Sequence, residues 1–129
     1  MMTTRAQRLK RLVRLQSQIK ALHETKHATY LAQAAAARKD ATELLDALNT
    51  ASPLPGLFPD LYNKRITAAV DREEKETRRA DQEATRVATA TARTTIVEKA
   101  YRDAFRLEER EAAEKDQLES VERRITERK

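Results

Sequence analysis

The sequence predicts an all-α fold: an antiparallel two-helix coiled-coil hairpin with a longer C-terminal helix. Three observations lead there. All three prolines and the single glycine fall within Pro53-Leu54-Pro55-Gly56-Leu57-Phe58-Pro59. Charged residues make up 36% of the chain and aromatics 4%, a composition suited to long helices and too poor in large apolar residues to fill a globule. The apolar residues that are present recur at helical spacing. Proline removes a backbone donor and clashes with the preceding turn, and glycine costs about 1 kcal/mol relative to alanine inside a helix. One proline-glycine window therefore marks one corner, and 129 residues make a single domain of helix over about 4–50, corner 51–59 and helix over about 60–127.

The first helix opens on Thr4-Arg5-Ala6-Gln7, a capping-box pattern in which hydroxyl and side-chain amide satisfy free backbone donors. Leu12, Leu15, Ile19 and Leu22 follow at 3-4-3 spacing and are expected to form the seam. The expected line continues through Lys26, Tyr30, Ala34, Ala37, Ala41, Leu44 or Leu45, and Leu48. Its successive steps of four from Leu22 to Ala34 predict a stutter that locally unwinds the supercoil. The small side chains from Ala34 to Ala37 either let a neighbouring helix approach closely or leave that level weakly packed.

After the corner, Pro59 suits a first helical turn and Asp60 places negative charge at a helix N-terminus. The second seam is expected along Leu61 or Tyr62, Ile66, Val70, Glu73, Thr77, Ala80, Ala84, Val87, Thr91, Thr94, Val97, Tyr101, Ala104, Leu107, Glu111, Leu118, Val121 and Ile125. Residues 71–86 make it weak, with charges and threonine where leucine is expected. Folding about the corner pairs residues whose numbers add to about 110 and leaves an acidic overhang of about twenty residues. The tip residues Leu54, Leu57, Phe58, Leu61 and Tyr62 are expected to fold back on Leu44, Leu45 and Leu48.

Charge is unevenly placed. Residues 1–20 carry Arg5, Arg8, Lys10, Arg11, Arg14 and Lys20 with no acid, a net of +6. Residues 108–122 carry seven acids against Arg110 and Lys115, a net of −5. There is no cysteine, hence no disulfide or thiolate metal site. No apolar run is long enough for a signal peptide or membrane span, and the expected location is the cytoplasm, with at most peripheral membrane contact. The basic start reads as an amphipathic helix for anionic lipid, as a non-specific phosphate binder, or as a surface complementary to an acidic protein. No nucleic-acid module accompanies it, so nucleic acid is not an expected partner.

His23-Glu24-Thr25-Lys26-His27 matches the H-E-x-x-H pattern of zinc proteases. That chemistry also needs a third ligand, an open coordination position and a walled cleft. A hairpin supplies no such cleft, although Glu83 falls near the pair across it. No enzyme, cofactor or metal centre is expected, only adventitious zinc or nickel at the two histidines. The candidate protein-binding residues are the basic Arg5, Arg8, Lys10, Arg11 and Arg14 and the apolar Leu57, Phe58, Leu61 and Tyr62.

Three stretches carry a family resemblance: Arg8-Leu9-Lys10-Arg11-Leu12; Leu57-Phe58-Pro59-Asp60-Leu61-Tyr62 on through Ala68, Ala69 and Arg72; and Tyr101-Arg102-Asp103-Ala104-Phe105-Arg106-Leu107-Glu108-Glu109-Arg110. Together they resemble the FliJ/YscO family of coiled-coil stalk proteins in flagellar and type III secretion export. The resemblance implies a non-catalytic adaptor that inserts its terminal end into a hexameric export ATPase, promotes its assembly, and contacts the export gate protein and secretion chaperones. It also implies that Arg5, Arg8, Lys10, Arg11 and Arg14 lie near the ATPase ring. The competing readings are a generic coiled-coil scaffold or dimerisation module, with a homodimer as partner, and an enzyme built on the histidine pair.

Overall fold

A computed structural model describes residues 2–50 and 56–128. Two long helices packed together make the fold: α1, Arg5–Asn49, and α2, Pro59–Glu127. No strand occurs among the described residues. The part of the expected corner at residues 51–55, with Pro53, Leu54 and Pro55, lies outside them. Packing divides the chain into two compact units, Lys20–Thr89 and Met1–Ile19 with Ala90–Lys129.

In the unit Lys20–Thr89 the two helical segments run antiparallel. Asp40 lies 3.4 Å from Arg72, Arg79 stands 5.9 Å from the Tyr30 ring centre, and His23 contacts Glu83. Covered positions on α1 are Lys20, His23, His27, Tyr30, Ala34, Ala37, Ala41 and Leu44. Those on α2 are Tyr62, Ile66, Ala69, Glu73, Glu76, Ala80, Glu83 and Val87. Both rows step alternately by three and four, so each helix keeps one stripe inward. The buried apolar side chains here are all alanines: Ala34, Ala37, Ala41, Ala69 and Ala80. Alanine has the highest helix propensity and no side-chain entropy to lose, and its single methyl lets two backbones approach.

This row corrects the expected seam. His27, not Lys26, is the covered position, so the steps through 23, 27, 30 and 34 alternate and no stutter is needed. On α2, Ala69, Glu76 and Glu83 take the places expected for Val70, Thr77 and Ala84. One uninterrupted alternation avoids the local unwinding that a line through Leu22 and Lys26 would impose. Leu22 is left 52% exposed.

The unit containing the chain ends follows the same rule. Ala6, Leu9, Val13, Gln16 and Ile19 are covered on α1, and Ala90, Thr94, Val97, Ala100, Tyr101, Ala104 and Glu108 on α2, with Ile19 and Ala100 lying beside the alternating rows. Leu12 and Leu15, expected inside, are 38% and 51% exposed, and Ala90 and Glu108 replace Thr91 and Leu107. Buried Thr94 satisfies its own hydroxyl by donating to the Ala90 carbonyl at 2.7 Å. The N-terminus of α1 carries the expected capping box: the Gln7 amide donates to Thr4 Oγ1 at 3.2 Å, and the Thr4 amide donates to Gln7 Oε1 at 3.0 Å. The Ala6 amide donates to Glu108 Oε1 at 3.1 Å, so an acid on α2 closes the positive end of α1. From residue 109 to 128 every side chain except half-covered Ser120 is exposed.

Candidate functional site

The polar heart of the unit Lys20–Thr89 is built where histidines on α1 meet acids on α2. Glu83 is 2% exposed. Its carboxylate can only accept, so the His23 Nδ1–H donates to Oε2 at 2.7 Å, and an Arg86 Nη1–H donates to Oε1 at 2.6 Å. Burial alone would push the Glu83 carboxyl up. The hydrogen bonds from His23 and Arg86, and their charge, outweigh it and hold the group below its ordinary value. A seam only one side chain thick places little protein over the carboxylate, so desolvation does not win.

About two helical turns away on α2, Glu76 is the second buried acid. An Arg79 Nη1–H donates to its Oε1 at 3.0 Å, while its Oε2 is buried without a partner. Arg79 also reaches over the Tyr30 ring, joining the acid to α1 through a cation–π contact.

The H-E-x-x-H residues do not converge. His23 is engaged with Glu83, His27 is half-buried one turn on, and Glu24 is exposed with its Oε1 3.8 Å from Lys20 Nζ. Among the described residues, no group of three or more His, Cys, Asp or Glu side chains is placed to hold a metal ion. The pair His23–Glu83 is instead a structural tie between the two segments.

The basic candidates Arg5, Arg8, Lys10, Arg11 and Arg14 are all exposed on the first turns of α1. Arg5 lines a cleft with Ala100, Asp103, Ala104, Leu107, Glu108 and Glu111. Arg8 donates from Nη1 to the Thr3 carbonyl at 3.3 Å. Among the described residues Lys10, Arg11 and Arg14 make no ion pair, so their charge faces outward.

The tip does not close as expected. Leu57, Phe58 and Leu61 are 68%, 54% and 51% exposed, and Leu45 and Leu48 also remain open. Among the described tip residues only Tyr62 is half-buried, where it lines a groove with Leu44, Ala47, Arg65 and Ala69. The seam takes about one residue per turn from each helix, and Leu57, Phe58 and Leu61 fall outside that row. Sequence reasoning also missed Glu108 as a cap and Glu76 as a buried acid. Extending the α2 row by alternate steps of three and four reaches both.

Among the described residues, no helix is long and apolar enough to cross a membrane. Comparison of the chain with family models, with curated proteins and with solved structures finds no match.

Proposed function

We propose that this chain is a non-catalytic coiled-coil hairpin acting as a stalk or adaptor of FliJ/YscO type, working in the cytoplasm on a flagellar or type III protein export apparatus. The observation that carries the reading is the row of exposed cations Arg5, Arg8, Lys10, Arg11 and Arg14 over the first turns of α1. A stalk that sits inside a protein ring acts by presenting charge and shape on a stiff rod. Helical packing with alternating small and polar side chains supplies stiffness, and unpaired arginines supply forked donors for carboxylates on a partner. The partner is a hexameric export ATPase, with the export gate protein and secretion chaperones contacted elsewhere. The exposed Leu57, Phe58 and Leu61 are a second docking point on this reading.

The test is co-purification with the export ATPase encoded in the same genome, together with a deletion strain assayed for secretion. Capture of the ATPase and a secretion defect are expected. If the chain neither binds nor stimulates the ATPase and secretion is intact without it, the reading fails.

A further inference from the structure

The unit formed by the two chain ends carries two largely exposed stripes, and they match. On α1, Arg5, Arg8, Leu12, Leu15 and Ile19 step by three, four, three and four along one flank, beside the covered row through Ala6, Leu9 and Val13. The first four are exposed and Ile19 is half-buried. On α2, Glu111, Glu114, Leu118, Val121 and Ile125 step in the same order, and all five are exposed. Leu118, Val121 and Ile125 are 65%, 44% and 57% exposed.

Among the described residues nothing covers the second stripe. Glu108 already caps the start of α1 at Ala6, and α2 continues past that point to Glu127. In the antiparallel pairing no residue of α1 reaches the level of Leu118.

We propose that a second copy of the chain covers it, each tail lying parallel to the first turns of the other copy's α1. One constant offset then sets Leu12 against Leu118, Leu15 against Val121 and Ile19 against Ile125. The same offset sets Arg5 against Glu111 and Arg8 against Glu114. Every level joins apolar to apolar or base to acid, between segments 5–19 and 111–125 of net charge +5 and −2. The contact is isologous: each copy gives one basic arm and one acidic tail and receives the other's, so two copies close and no open chain of subunits forms. A third helix beside α1 and α2 also covers the leucines that the intrachain seam leaves wet. This association uses Arg5 and Arg8, which the proposed ATPase contact also uses, so the two compete for them; its test involves no ATPase.

The test is sedimentation equilibrium of the full chain over a concentration series, at low and high salt. The wild type is expected to be dimeric at about 100 µM in low salt and to dissociate on dilution, with affinity at least tenfold weaker in high salt. Leu118→Glu with Ile125→Glu is expected to abolish the dimer with helix content unchanged, since both residues are exposed. Arg5→Glu with Arg8→Glu in one chain, and Glu111→Lys with Glu114→Lys in another, should each weaken self-association tenfold or more. An equimolar mixture of those two variants should recover the dimer, because every opposed pair again has opposite sign. A wild type that stays monomeric at the highest concentration, reversals that leave the dimer intact, or a mixture that does not recover it, overturns the proposal.

Discussion

His23 on α1 donates its Nδ1 hydrogen to the buried carboxylate of Glu83 on α2 across 2.7 Å. With Arg86 on the other oxygen, this places a charged acid where apolar contact would ordinarily stand. Sliding either segment by one heptad strands the carboxylate, so the pair favours this register over its neighbours.

The pH dependence follows from Glu83. Its folded-state value lies below the ordinary 4.5, so the ionised group stabilises the fold above that pH. The contribution is lost as pH falls through the lower folded-state value. Thermal melts of the wild type and Glu83→Gln, followed by circular dichroism, should differ most near neutrality and converge as the pH falls below 4.5. A gap that stays constant throughout an acid titration would contradict this assignment.

Side-chain volume along the seam gives a second prediction. Ala37 is 0% exposed, so Ala37→Leu overpacks the interface and is expected to cost about 1–3 kcal/mol. Leu15→Ala, measured in dilute protein, should change stability by no more than about 0.5 kcal/mol because Leu15 is already half in water. Urea titration of both variants distinguishes this frame from one in which Leu15 is core.

Glu76 is expected to be a net cost. Its Oε2 is buried with no hydrogen-bond partner, and a group in that state costs roughly 1–3 kcal/mol. Glu76→Leu should therefore raise the unfolding midpoint while Arg79, partly exposed, turns to solvent. A lower midpoint would mean that the Arg79 pair outweighs the orphaned oxygen.

Gly56 supplies a contrasting case. It has no positive φ, and a Cβ built on it would meet nothing within 4 Å. Gly56→Ala is thus expected to be neutral or to stabilise by about 0.4–1 kcal/mol through the unfolded chain alone. Chemical denaturation reads this directly, and a loss of stability would show that the corner needs glycine's freedom.

The all-helical pairing was legible because proline and glycine are confined to one window, and Thr4 and Gln7 fall at capping-box spacing. From Tyr30 to Leu44 the seam was also legible, since alanine and leucine there leave a single stripe to bury. The inner face of the first turns was not. Leu12, Leu15 and Leu22 form the more apolar stripe by composition, yet the covered row runs through Leu9, Val13, Gln16, His23 and His27. Hydrophobicity alone favours the first stripe. Continuity with Tyr30 and Ala34 favours the second, and continuity prevails because a stutter would unwind the pair. Glu76 was hidden for the same reason: residue type marked it as surface, while its place in the row put it inside. Glu83 was legible as a neighbour of the histidines across the hairpin, but not as a buried acid. As for the basic candidates, the sequence could name Arg5, Arg8, Lys10, Arg11 and Arg14, but their exposure had to be seen.

The most direct test of the proposed role is the ATP hydrolysis rate of the hexameric export ATPase from the same genome, measured as this chain is titrated in. Saturable stimulation by the wild type is expected, with about tenfold weaker apparent affinity or more for Lys10→Glu with Arg11→Glu and Arg14→Glu, each added charge reversal at a protein contact costing about 0.5 kcal/mol or more. A rate unchanged at saturating chain, or stimulation indifferent to those three reversals, would contradict it.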